Sequence, residues 1–243
     1  MSHILVVGGA GYIGSHMVLA LNDAGYSPVV FDNLSRGFAD AVVDAPLVVG
    51  DLRSPEDLAA CFGQYDISLV MHFAALAYVA ESVKDPLRYY ENNVSGTLNL
   101  LAAMRSNGVD KFVFSSTCAT YGVPDSVPIT ESMPQRPINP YGQSKLMVER
   151  ILKDCDHSDD LKSVSLRYFN AAGADPELRA GERHDPETHL IPLVLEEALR
   201  LKQGGDPADT RLRVFGTDFE TPDGTCIRDY IHVSDLCQAH VLA

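Results

Sequence analysis

Short apolar runs alternate along the chain with longer segments whose apolar residues recur every third or fourth position. The runs are HILVVG (3–8), SPVVFD (27–32), APLVVGD (45–51), ISLVMHFAA (67–75), DKFVFSS (110–116) and SVSLRYF (163–169). Each is rich in Val, Ile or Phe and apolar on both faces, the pattern of a strand covered on each side. Between them SHMVLALNDAG, SPEDLAACFG and NVSGTLNLLAAMRSNG carry helical spacing, and the first and last end on a glycine suited to a helix C-terminus. Such alternation predicts an α/β fold, a doubly wound parallel sheet with helices on both faces.

The pattern changes near residue 170. AAGADPELRAGERHDPETH has turn formers and charge without a period and reads as a long loop. IPLVLEEALRLKQGG reads as a helix and RLRVFG as a short strand. RDYIHVSDLCQAHVLA reads as a strand and then a helix capped by Ser234. The expected organisation is a sheet domain over residues 1–169 and a smaller region over 170–243, interwoven with the last strand. The final helix carries no stop signal, so this region is expected to be incomplete.

Composition narrows the function classes. The chain is 46% hydrophobic and 21% charged, as soluble globular proteins are. Nineteen Lys and Arg against thirty-three Asp and Glu give a formal charge of −14, which argues against nucleic acid or an anionic membrane as a partner. Any anionic ligand must therefore be held by local features. No run approaches the roughly 18 apolar residues of a membrane span. The start, MSHILVVGGAGYIG, lacks the basic flank of a signal peptide. Five cysteines, an odd number without CxxC or metal-ligand spacing, suggest reduced thiols in a cytoplasmic protein.

The chemistry-bearing positions cluster at predicted strand ends. VVGGAGYIG places Gly8, Gly11 and Gly14 between the first strand and the first helix, where backbone N–H groups and the helix dipole suit a pyrophosphate. Asp32, eighteen residues past Gly14, ends the second strand and is placed to accept from a ribose hydroxyl. That favours NAD over NADP, with Arg36 nearby as the one countersign. Asp51 and Leu52 end the third strand and could flank an adenine or be ordinary loop residues. His72, on an apolar strand, reads as a core histidine. Ser115, Ser116 and Thr117 set three hydroxyls at one strand end, fit either to bind a substrate or to make a polar turn.

YGQSK sets Tyr141 and Lys145 four positions apart, on one face of a helix. One positive charge about 6 Å from the phenol, at an effective dielectric of ~20, amounts to roughly 2.8 kcal/mol or about two pKa units. Lysine together with an oxidised nicotinamide is expected to bring the tyrosine to roughly 6–7 before burial is counted.

The glycine turn, Asp32, the strand-end hydroxyl and YxxxK together are similar to the extended short-chain dehydrogenase/reductase superfamily. The blocks GGAGYIGSH, FDNLSRG, KFVFSSTCATYG, NPYGQSKLMVE, LRYFNAAGA, ETHLIP and DGTCIRDYIHV resemble its UDP-glucose 4-epimerase family over nearly the whole chain. The resemblance implies an isomerase that oxidises carbon 4 of a UDP-sugar with bound NAD, turns the 4-keto sugar over and reduces it again. In that reading Tyr141 is the general base, Lys145 its electrostatic partner and a ribose ligand, and Thr117 the hydroxyl beside the sugar. Tyr12, Ile13, Asn33, Phe73, Ala74, Asn93, Ser115 and Tyr168 join the glycines, Asp32, Asp51 and Leu52 as cofactor positions. Asn170, His189, Leu190, Phe215 and Arg228 are substrate positions, and no metal is needed. A homodimer is implied by analogy.

Two departures matter. Ala77 stands where some relatives carry a lysine, which puts one cofactor or phosphate contact in doubt. Cys118 and Ala119 follow Thr117 where the related dehydratases place Asp-Glu, so elimination chemistry lacks its proton donors. Another UDP-sugar specificity (UDP-xylose/arabinose or UDP-N-acetylhexosamine) and an NAD-binding protein without catalysis are the remaining alternatives.

Overall fold

The computed structural model describes residues 2–159, 161–210 and 212–243. In chain order its main elements are β1 (His3–Val7), α1 (Tyr12–Asp23), β2 (Pro28–Asp32), β3 (Leu47–Val49), α2 (Pro55–Gln64) and β4 (Ile67–His72). There follow α3 (Val79–Lys84), α4 (Pro86–Tyr90), α5 (Gly96–Ser106), β5 (Lys111–Ser115), α6 (Pro140–Asp159) and β6 (Lys162–Leu166). The last are β7 (Asn170–Ala172), α7 (Leu190–Lys202), β8 (Tyr230–His232) and α8 (Val233–Leu242).

Six strands form one parallel sheet in the order β3-β2-β1-β4-β5-β6. The two-sided apolar runs explain it. Leu5, Val7, Val29, Phe31, Val70, Phe112 and Phe114 pack on one face with Leu58 of α2, Leu100 and Met104 of α5, and Val148 and Leu152 of α6. Their neighbours along the strands, Ile4, Val6, Val30, Met71 and Val113, pack on the other face with Met17, Val18 and Leu21 of α1 and Val233 and Cys237 of α8. Strand order reverses between β1 and β4, which opens a crevice at the carboxyl ends of those strands.

Local chemistry sets the helix ends. Ser54 caps α2 by accepting from Asp57 N–H at 3.2 Å, with Pro55 in the first turn. Asn139 does the same for Gly142 N–H at 2.8 Å, with Pro140 opening α6, so Tyr141 is fixed in that helix's first turn. Gly25 and Gly108, at φ +81° and +68°, follow α1 and α5 as the sequence predicts. A π-helical turn over Glu91–Ser95 joins α4 to α5 and marks a site of special geometry.

Three expectations need correction. RLRVFG makes no strand over residues 212–216, while Arg211 lies outside the described residues. Val214 and Phe215 are exposed there, and among the described residues no strand pairs with this segment. The helix at the end is capped by His232, whose ring accepts from Ser234 N–H at 3.2 Å, and Ser234 lies inside the first turn. The long loop after residue 170 begins with a paired segment, β7 lying parallel to β8. Among the described residues no helix is long and apolar enough to cross a membrane.

Candidate active site

Gly8 follows β1 at φ +82°, and a Cβ on it would stand 2.4 Å from the backbone nitrogen of Ala74, just past the end of β4. Gly14 is fixed by packing, since its Cβ would meet the Gly8 carbonyl at 2.1 Å. Gly11 differs: the nearest atom to a Cβ there is 3.5 Å away. The protein leaves room over Gly11, and α1 starts from it without a side-chain cap, so its first N–H groups face that room.

The room is part of a cleft lined by Gly8, Gly11, Asp32, Asn33, Asp51, Leu52, Phe73 and Ala74, together with Arg36 and Asn92. Asp32 accepts from Ala10 N–H at 3.0 Å and Leu34 N–H at 2.8 Å. Burial raises its carboxyl above the usual range, and the two N–H groups pull it back. Asn33 donates to Asp51 at 3.0 Å, and Arg53 holds Asp51 through Nε and Nη2, keeping that carboxyl well below its ordinary value. Arg36 is committed to Glu81 at 3.1 Å. A glycine turn open to an anion, a buried carboxylate and an apolar floor at Leu52 and Phe73 fit the phosphate, ribose and base of a dinucleotide. Tyr12 and Ile13 are not among the residues that line the cleft, and the Tyr12 hydroxyl donates to the Gly173 carbonyl at 2.7 Å.

Deeper along the strand ends sit Thr117, Tyr141, Lys145, Ser115 and Tyr168. Burial pushes the Tyr141 phenol up to about 12, partly offset by a hydrogen bond with the Thr117 side chain. Burial also pulls the Lys145 amine down to about 7, with Glu149 acting the other way. Lys145 Nζ donates to the Ser115 carbonyl at 2.8 Å and lies 4.8 Å from the centre of the Phe114 ring. The expected acidification of Tyr141 requires Lys145 together with an oxidised nicotinamide, and burial alone acts in the opposite direction. The three strand-end hydroxyls also part company. Ser115 hydrogen-bonds Tyr168, Ser116 donates to Glu149, and Thr117 meets Tyr141 and accepts from Ala119 N–H at 3.2 Å.

His72 is a core histidine, as its strand predicts. Its Nε2 lies 2.9 Å from the Thr97 hydroxyl, which itself donates to the Asn93 carbonyl, so Nε2 carries the proton. Burial lowers the ring to about 3. Asn93, in the π-helical turn, accepts from Leu76 N–H and donates to the Leu76 carbonyl and to Ser144, whose hydroxyl donates to the Tyr141 carbonyl. It ties the floor of the cleft to the helix that carries Tyr141.

The sequence reading missed a buried pair beneath the site. Arg167 grips Glu149 through Nε at 2.9 Å and Nη2 at 2.6 Å, Gln135 adds a bond at 2.9 Å, and Tyr121 accepts from Arg167 at 2.7 Å. Arg167 and its partners hold Glu149 ionised despite burial. The signal was available: Glu149 follows Lys145 by four positions and so shares its helix face.

The candidates past residue 169 are not gathered in the same way. Asn170 donates to the Asp229 carbonyl at 2.8 Å, and Arg228 donates to the carbonyl of its own neighbour Ile227. His189 bonds Glu187 at 2.8 Å, Leu190 is exposed at the start of α7, and Phe215 is 95% exposed. Cys118 is half-buried, and burial raises its thiol.

Comparison with known proteins adds independent findings. Residues 4–243 match the model of the NAD dependent epimerase/dehydratase family. The chain is 56% identical over 240 residues to a UDP-glucose 4-epimerase of Rhizobium leguminosarum bv. trifolii, covering 99% of this chain and 71% of that relative. Among solved structures it is similar to the UDP-glucose 4-epimerase of Brucella ovis in complex with NAD (TM-score 0.91, 52% identity, covering 100% of this chain and 73% of that one). It is also similar to that of Bifidobacterium longum in complex with NAD+ and UDP (TM-score 0.91, 37% identity, covering 99% and 73%).

Proposed function

Since the chain belongs to the NAD dependent epimerase/dehydratase family, and within it to the UDP-glucose 4-epimerases, we propose the following chemistry for its site. The protein interconverts UDP-glucose and UDP-galactose with NAD as cofactor. NAD supplies a reversible hydride acceptor for carbon 4 of the sugar, so that the 4-keto sugar can be reduced on its other face.

The chain's own residues do the rest. The N–H groups around Gly11 receive the pyrophosphate, and Asp32 accepts from an adenosine ribose hydroxyl. Arg36, held by Glu81, is not free for a 2′-phosphate, which supports NAD over NADP. Tyr141 takes the proton of the sugar's 4-hydroxyl and returns it, with Thr117 holding the phenol in line. Lys145 bonds a ribose hydroxyl and keeps its charge close to Tyr141. The observation that carries this reading is that Tyr141 meets Thr117 in the first turn of α6 while Lys145, one turn on, is buried against Ser115 at the end of β5. Asn170, His189, Leu190, Phe215 and Arg228 serve the UDP-sugar, Arg228 through its fork of phosphate-binding donors. We place the 170–243 region as the substrate side, the protein as a homodimer, and its home as the cytoplasm. Its five free cysteines suit a reducing compartment.

The test presents UDP-glucose, UDP-xylose and UDP-N-acetylglucosamine in turn and follows the 4-epimer by NMR. Fastest conversion of UDP-glucose is the expected result. Faster conversion of UDP-xylose moves the specificity to pentoses, and no conversion of any of them overturns the reading.

A further inference from the structure

Tyr141, Lys145 and Glu149 stand four positions apart on α6 and meet the end of β5 one after another. Tyr141 meets the Thr117 side chain, Lys145 Nζ donates to the Ser115 carbonyl at 2.8 Å, and Glu149 accepts from the Ser116 hydroxyl. The proposed chemistry uses the first two contacts and leaves the third without a role.

Glu149 is itself held by Arg167, in the segment that follows β6. From the same guanidinium, Nη1 donates to the Tyr121 hydroxyl at 2.7 Å, and its carbon lies 5.3 Å from the centre of the Tyr121 ring. Ser116 and Tyr121 are 1% and 5% exposed. They flank Thr117 and the short turn that it opens, Cys118–Thr120. One ion pair therefore grips the chain on both sides of Thr117. The backbone between is tied to the neighbours of Arg167: Ser116 N–H donates to the Leu166 carbonyl at 2.9 Å and Cys118 N–H to the Tyr168 carbonyl at 3.0 Å.

That grip bears on the phenol. The Thr117 hydroxyl accepts from Ala119 N–H at 3.2 Å, which leaves its own proton for the phenol oxygen. A donor at that oxygen stabilises the phenolate form that a base needs. Its strength depends on where the hydroxyl is aimed, and so on where residues 116–121 are held.

We propose that the Glu149–Arg167 pair is a positioning device for Tyr141 that acts through Thr117. This rests on Tyr141 being the general base, and it gives the pair a role beyond the stability that it confers. Ser116 carries the connection on one side of Thr117 and Tyr121 on the other.

The test uses Ser116→Ala and Tyr121→Phe, each of which removes one grip and leaves the ion pair whole. In each, kcat for UDP-galactose should fall about tenfold or more, with KM, bound NAD and the urea midpoint close to wild type. In a Thr117→Val background, Ser116→Ala should cost less than about twofold further, because its effect passes through the missing hydroxyl. A kcat for Ser116→Ala within about twofold of wild type overturns the proposal. So does its full loss repeated in the Thr117→Val background, or a loss that only follows falling stability and NAD content. A readout without turnover places fluorotyrosine at position 141 and follows its ¹⁹F resonance. The resonance should shift in Thr117→Val and in Ser116→Ala, and an unmoved resonance in Ser116→Ala overturns the proposal. A wild type that converts no UDP-sugar while the resonance still moves sinks the general-base reading and leaves the positioning standing.

Discussion

Tyr141 and Arg228 both stand in short, specific motifs, YGQSK and RDY, yet the fold treats them differently. Tyr141 sits in the first turn of a capped helix, against Thr117, above a network that runs through Ser144 and Asn93 to the cleft floor. Arg228 is exposed and bonds the carbonyl of the residue before it. The same contrast separates Asp32, held by two backbone N–H groups, from Phe215, which is 95% exposed. Residues at the ends of sheet strands and on the helices that cover them inherit their positions from the core. Residues on the segments past 169 depend on whatever ligand or neighbouring surface they meet. Orientation of the reacting groups is therefore part of the fold's stability in the first region and hardly so in the second.

Mutations can break that comparison. The largest effect is expected at the buried pair under the site. Arg167→Met leaves the Glu149 carboxylate, 7% exposed, without its cation, and should cost about 3–5 kcal/mol in urea unfolding. Asn93→Ala leaves both Leu76 backbone groups without partners and should cost about 2–4 kcal/mol, with turnover falling as the cleft floor loosens.

Lys145→Met goes the other way. The folded-state amine loses its proton near pH 7, whereas the unfolded chain keeps it up to about 10.5. At pH 6 the wild type therefore carries the full cost of a buried charge, and that cost fades as pH rises through this window. The methionine variant should be more stable by about 1–3 kcal/mol at pH 6, after its lost bond to Ser115 is counted, and its advantage should shrink toward pH 10. An advantage that grows with pH contradicts the assignment. Phe215→Ala and Arg228→Ala mark the smallest effect on folding, within about 0.5 kcal/mol. Arg228→Ala should still raise the KM for the UDP-sugar by about tenfold, the equivalent of ~1.4 kcal/mol. A large loss of stability in either variant would erase the contrast between the two regions.

The legible parts of the sequence were those where one physical demand determines the residue. Strands apolar on both faces announce a covered sheet, and all six appear where the runs predict. Gly8 and Gly14 are required by strand and helix packing as much as by any ligand, so the turn is visible without a structure. The spacing of Tyr141 and Lys145 places them on one face but says nothing of the rotamer that turns the ammonium onto Ser115. The Glu149–Arg167 pair joins a helix to the end of a strand eighteen positions away, a contact that only the assembled sheet creates. RLRVFG shows the opposite failure. Its alternation suits a strand, but a strand needs a neighbour, and none lies beside it among the described residues. His232 and Ser234 are both able to cap, and the point where β8 ends gives the role to His232.

On the proposed function, Tyr141 moves the proton within an NAD site that stands whether or not the phenol is present. The direct measurement gives the purified chain UDP-galactose without added nucleotide, follows UDP-glucose formation, and compares it with Tyr141→Phe while bound NAD is quantified in both. The expected result is turnover by the wild type, and a fall of about 10²–10⁴-fold in the variant with its NAD content unchanged. A variant that turns over within about tenfold of the wild type, in the range of a single missing hydrogen bond, would contradict it.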